Sequence, residues 1–70
     1  MKEFLLSALP KSILAIDISG ARNAATHYSN HQFSTWKEAE KFFLELGAPP
    51  HLLDEVRQAL SDNGVAKLAF

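Results

Sequence analysis

The sequence contains no cysteine, and its 70 residues include only three glycines and three prolines. The absence of cysteine excludes disulfide bonds, with which small domains often supplement a small hydrophobic core. The few glycines and prolines mark breaks at Pro10, Gly20, residues 47–50 and Gly64, without a repeat or a low-complexity linker. With 47% apolar residues, we expect stability to come from dense apolar packing or from a partner surface.

The sequence also lacks an excess of charge of one sign. Seven Lys and Arg against eight Asp and Glu give a formal net charge of −1, and these residues are scattered along the chain. Proteins that bind phosphate backbones or anionic lipid usually carry a basic patch. We therefore expect no membrane partner, and nucleic acid is not the partner that the composition favours.

Residues 1–6 resemble the start of a signal peptide, but the apolar stretch that begins at Phe4 is interrupted by Ser7, Pro10 and Lys11. This stretch is too short to cross a bilayer and does not have the continuous apolar segment of a signal peptide. A chain of this length has enough residues for one hydrophobic core but too few for two. We expect residues 1–70 to form a single α+β domain in the cytoplasm.

The first half of the chain predicts strands. Residues 12–19 contain a short β-branched run, residues 20–23 fit a turn, and residues 24–31 fit a second strand that pairs with the first. Residues 2–9 fit either a strand or one to two helical turns, since Leu, Ala, Lys and Glu form helices readily. We favour the strand.

The second half of the chain predicts two helices and a closing strand. Thr35 and Glu38 have the spacing of a capping box, and apolar residues then recur at helical spacing up to Gly47. A second helix follows the two prolines at 49 and 50 and ends at Gly64. Residues 65–70 alternate as a strand does. The predicted order is β-β-β-α-α-β, a small antiparallel sheet of about three or four strands with a two-helix hairpin on one face.

A register argument predicts an interface on the other face of this sheet. If residues 20–23 form the loop, Ala15 pairs with Tyr28, and the face that carries Leu14, Ile16 and Ile18 is the more apolar and should meet the helices. With a turn at residues 10–11 between the first two strands, the opposite face then collects Phe4, Leu6, Ala8, Ile13, Ala15 and Tyr28. Exposed apolar surface of this kind marks an interface such as a homodimer packed sheet to sheet. A helical segment at residues 2–9, or a loop one residue longer, removes this patch.

The sequence has few residues at the spacing of a catalytic, phosphate-binding or metal-binding motif. No serine, histidine and acid have a recognisable catalytic spacing, and no glycine-rich phosphate loop is present. His27 and His31 are four residues apart, which suits metal ligands, but the only other histidine is His51. We therefore predict no enzyme activity, no metal site, no cofactor and no small-molecule ligand.

The sequence leads to two functional hypotheses. The first is a non-catalytic accessory or regulatory module that acts by contact with another protein or with a second copy of itself. The alternative is a nucleic-acid-binding or metal-binding regulator that uses residues 22–36, with Arg22, His27 and His31 as the binding residues. The two differ in their expected response to salt and to chelators.

Overall fold

The computed structural model describes residues 1–19 and 29–70. Within these residues the elements are β1 (Glu3–Ala8), β2 (Ile13–Asp17), β3 (Ser29–Phe33), α1 (Trp36–Leu46), α2 (Pro50–Asn63) and β4 (Val65–Ala69). The described strands form one antiparallel sheet in the order β3-β2-β1-β4. The predicted α+β fold and its element order are confirmed, with residues 3–8 in a strand. The predicted turn at 20–23 lies outside the described residues.

The boundaries of α1 follow from local signals. The hydroxyl oxygen of Thr35 accepts a hydrogen bond from the backbone amide of Glu38 at 3.3 Å. The carboxylate of Glu38 accepts one from the amide of Ser34 at 3.1 Å, one residue before the threonine that a standard capping box would use. Gly47 ends the helix with φ of 103°, a left-handed conformation that favours glycine.

Helix α2 begins and ends at the predicted positions. Pro50 occupies the first turn, where its missing N–H costs nothing. Gly64 has φ of 78°, and its amide donates to the carbonyl of Leu60 at 3.0 Å. Because this glycine turns the chain directly into β4, α2 and β4 lie side by side.

Strand β1 is the centre of the sheet's packing, since it is hydrogen-bonded to β2 on one side and to β4 on the other. Its side chains alternate between buried and accessible, with Phe4 and Leu6 buried and Leu5 exposed. The rings of Phe4 and Phe43 meet edge to face with centroids 5.0 Å apart. The buried core comprises Phe4, Leu6, Ala15, Ala39, Phe43, Ala48, Leu53, Val56, Leu60 and Leu68.

The prediction that Phe4, Leu6 and Ala15 lie on an uncovered interface face is wrong. Their exposed fractions are 2%, 1% and 0%, because the helices pack on this side of the sheet. Ile13 is partly buried against the same core. Ala8 lies on the same side of β1 and is exposed at the strand's end.

Tyr28, the remaining residue of the predicted interface, lies outside the described residues. The register of β3 nevertheless shows how the hairpin prediction failed. Ala15 pairs with His31, three residues beyond Tyr28. Because side chains alternate with a period of two, an odd shift exchanges the faces of β3 relative to β2.

The prediction of which side chains of β1 and β2 share a face is confirmed. The prediction of which face meets the helices is wrong. Leu5 lies opposite Ile16 and Leu6 opposite Ala15, as a turn at residues 10–11 predicts. Judged on β2 alone, the Ile16 face is the more apolar. The helices pack on the opposite face, however, where Phe4, Phe33 and Leu68 of the other strands add their apolar surface to that of the small Ala15.

The two neighbouring leucines of β1 test this assignment of faces. Leu6→Ala should lower the free energy of unfolding by about 3 kcal/mol, since it leaves a cavity in the core. Leu5→Ala is the matched control and should cost less than about 1 kcal/mol. Urea unfolding of both variants measures the difference, and equal losses would contradict the orientation of β1.

Candidate protein-binding surface

The side of the sheet that faces away from the helices is called the outer face here. Its members follow from the strand registers and the alternation of side chains. None of them belongs to the core or to the apolar residues packed against it. They are Glu3, Leu5, Ser7, Leu14, Ile16, Asn30, Gln32, Val65, Lys67 and Ala69. Within residues 1–19 and 29–70, neither helix covers this face.

The centre of the outer face is apolar. Leu5 is 43% exposed and Val65 59% exposed, and Leu14 and Ile16 are half-buried. Leu5 lies directly opposite Ile16 in the β1–β2 ladder. A shallow depression of about 330 Å³ between β1 and β4 is lined by Leu5, Val65 and their neighbours. These side chains form a connected apolar patch on the accessible side of the sheet.

Polar side chains surround this patch. The ammonium of Lys67 lies 4.0 Å from the carboxylate of Glu3. On the opposite edge, the side-chain amide of Gln32 donates to the hydroxyl of Ser12 at 3.0 Å, and Asn30 is exposed. An apolar centre with a polar rim is the usual anatomy of a protein-binding surface.

Asp17 and Ser19 tie the end of β2 to the beginning of β1. The amide of Ser19 donates to the Asp17 carboxylate at 2.9 Å, and the amide of Glu3 donates to the Ser19 hydroxyl oxygen at 2.9 Å. The hydroxyl and the amide of Ser19 hold the pKa of Asp17 below its ordinary value. These contacts give Asp17 a structural role.

The residues of the alternative binding segment are only partly described. His31 lies on the helix-facing side of β3, with its ring centroid 4.8 Å from that of Phe42 and 6.5 Å from that of Phe4. Arg22 and His27 lie outside the described residues. Phe33 and Trp36 pack against the core. The described end of the segment therefore directs its aromatic groups toward the protein interior.

In the part of the chain that the structure describes, no three His, Cys, Asp or Glu side chains come together as a group that could hold a metal ion. Within the same ranges, no helix is long and apolar enough to cross a membrane. Comparisons with protein-family models, curated proteins and solved structures find no match. The surface chemistry of the chain is therefore the basis for a functional proposal.

The side chains predicted for the accessible face of the sheet are not the ones that lie there. A useful signal lay in β4, where Ala66, Leu68 and Phe70 alternate with Lys67. The charged Lys67 should face water, and it lies opposite Leu5 in the ladder. Leu5 can be placed on the same face as Lys67 only when the pairing of β4 with β1 is known. That pairing joins residues that are distant in sequence.

The lowered pKa of Asp17 predicts a loss of stability in acid. A group whose pKa is depressed by folding contributes stability above its unfolded pKa, and this stability is lost as the pH falls through the folded pKa. Asp17→Asn should therefore reduce the difference in unfolding free energy between pH 7 and about pH 3. Asp54→Asn, at an exposed site on α2, controls for the loss of a carboxylate. Urea unfolding at both pH values measures the effect, and an unchanged difference for Asp17→Asn would contradict it.

Proposed function

We propose that this protein is a non-enzymatic interaction module that self-associates through the outer face of its sheet. The observation that carries the proposal is the connected apolar patch of Leu5, Leu14, Ile16 and Val65 on a face that the helices leave accessible. Burial of apolar surface is the main driving force of association. Against a second copy, the same patch meets its own equivalent, as in most soluble homodimers.

The charges on the outer face support a second copy as the occupant. Glu3 and Lys67 lie side by side, so the face carries one charge of each sign beside its apolar centre. A two-fold axis that lies in the plane of the interface and runs between these two side chains brings Glu3 of one copy to Lys67 of the other. Such an arrangement avoids the like-charge contacts that oppose the association of identical surfaces.

The size of the outer face predicts a weak dimer. Strands of about five residues at ~3.3 Å each, and four strands ~4.8 Å apart, give a face of roughly 17 by 19 Å. Two such faces bury on the order of 650 Å² as flat areas, and more when projecting side chains are included. This is below the roughly 1,200 Å² of stable interfaces and within the range of weak, transient ones, so we expect a dissociation constant on the order of 100 µM.

Asp17 and His31 have structural and not catalytic roles in this proposal. The carboxylate of Asp17 already accepts a hydrogen bond from Ser19, and the ring of His31 packs against Phe42. A weak homodimer suits an accessory or regulatory role, because its assembly responds to protein concentration.

Charge insertion at matched leucines tests the dimer. Leu5 on the outer face and Leu44 on α1 are each 43% exposed. Leu5→Lys should weaken self-association at least about tenfold, since it buries an unpaired charge in the interface. Leu44→Lys should leave the dissociation constant unchanged. Sedimentation equilibrium from about 10 µM to 1 mM measures both.

Two outcomes would overturn the proposal. The first is a wild-type chain that remains monomeric up to about 1 mM. The second is a dimer that Leu44→Lys weakens as much as Leu5→Lys, because the interface would then not be the outer face. Circular dichroism of both variants checks that the fold is retained.

A further inference from the structure

The edge of β4 that faces away from β1 carries backbone groups that the described sheet does not pair. Lys2 and Phe70 exchange two backbone hydrogen bonds, at 2.6 and 2.9 Å. Because bonded and non-bonded pairs alternate along an antiparallel ladder, Leu68 and Ala66 also direct their N–H and C=O groups toward β1. The backbone groups of Val65, Lys67 and Ala69 then point to the open edge.

A groove runs beside this open edge, between β4 and α2. Its volume is about 210 Å³. Leu52, Glu55 and Ala59 line it from the helix, and Ala66 and Leu68 line it from the strand. The small side chains of Ala59 and Ala66 leave room above the edge on the helix-facing side. An open strand edge beside such a groove is the geometry of binding by strand addition.

We propose that an extended segment of a partner protein adds to β4 as a further strand, with apolar side chains in the groove and an acidic side chain opposite Lys67. This inference goes beyond the self-association proposed above, because it uses the backbone edge and the groove in addition to Lys67 of the outer face.

The alternation of side chains specifies the chemistry of the segment. Partner residues opposite Val65, Lys67 and Ala69 lie on the outer face, as those three do. The residue opposite Lys67 meets a lysine side chain that is 60% exposed and whose ammonium lies 4.0 Å from the Glu3 carboxylate on the β1 side, so a second carboxylate is favoured on the open side. Partner residues opposite Ala66 and Leu68 lie on the helix side and contact Leu52 and Ala59 in the groove. The motif is therefore an acidic residue between two apolar ones.

The charge of Lys67 also argues against a second copy at this edge. Full antiparallel overlap of two β4 strands places Lys67 directly opposite Lys67 of the second copy. Like charges in directly opposite positions destabilise a strand pair, and lysine on an edge strand commonly prevents self-pairing. A foreign strand with an acidic residue at this position gains attraction where the second copy meets repulsion.

A short palindromic peptide, acetyl-Thr-Val-Glu-Val-Thr-amide, serves as the probe. Titrated into the ¹⁵N-labelled protein, it should cause saturable amide shifts centred on Val65, Lys67 and Ala69, and should slow hydrogen exchange at these amides. The titration uses a concentration at which sedimentation shows the monomer. Binding to the β4 edge and dimerisation can therefore fail independently.

Two pairs of experiments define the site. Ala59→Arg fills the groove and should abolish saturation, whereas Gln58→Arg, at the neighbouring exposed position outside the groove, should bind as the wild type does. Lys67→Glu should weaken binding of the Glu peptide about fivefold and improve binding of the matching Lys peptide. Lys67 is exposed, so this second pair remains informative if Ala59→Arg fails to fold.

Three results would overturn the proposal. One is the absence of saturable shifts at peptide concentrations up to about 10 mM. Another is a set of shifts centred on Leu5, Leu14 and Ile16 of the outer face, or on Asn30 and Gln32 of β3. The third is equal affinity of the Glu and Lys peptides for both the wild type and Lys67→Glu.

Discussion

The contact between Phe4 of β1 and Phe43 of α1 joins the middle of the sheet to the helices. The two rings are almost fully buried and meet edge to face. With Phe4 directed inward, alternation directs Leu5 outward, and the ladders on both sides of β1 impose the same choice on β2 and β4. The inward orientation of Phe4 therefore determines both which side chains form the core and which form the accessible apolar patch.

The two proposed surfaces use different physics. The outer face offers apolar side chains, so its association depends on buried area and weakens when a charge is inserted. The edge of β4 offers backbone groups, so its specificity comes from alternate side-chain positions of the added strand. A second copy approaches the outer face along the normal to the sheet, whereas an added strand extends the sheet within its plane. A dimer through the outer face therefore leaves the backbone edge of β4 available in each copy, while the side chain of Lys67 belongs to both surfaces.

The helices were predictable because their signals are local. Thr35 and Glu38 are one helical turn apart, and Gly47 and Gly64 take the left-handed conformations that end α1 and α2. Strand β3 was less predictable. Its sequence from Ser29 to Phe33 is mostly polar, and its position is set by pairing with β2 rather than by its own β-propensity. The candidate interface was predicted on the wrong face for the same kind of reason.

By itself, the sequence determined the order of the elements and which side chains of β1 and β2 share a face, since both depend on spacings within a few residues. Only the tertiary structure decided which of those faces the helices cover. That choice depends on apolar surface summed over all four described strands. Phe4, Phe33 and Leu68 come together through pairings between distant parts of the chain, and their combined burial outweighs that of Leu14 and Ile16. The apolar side chains left outside form the surface proposed for self-association.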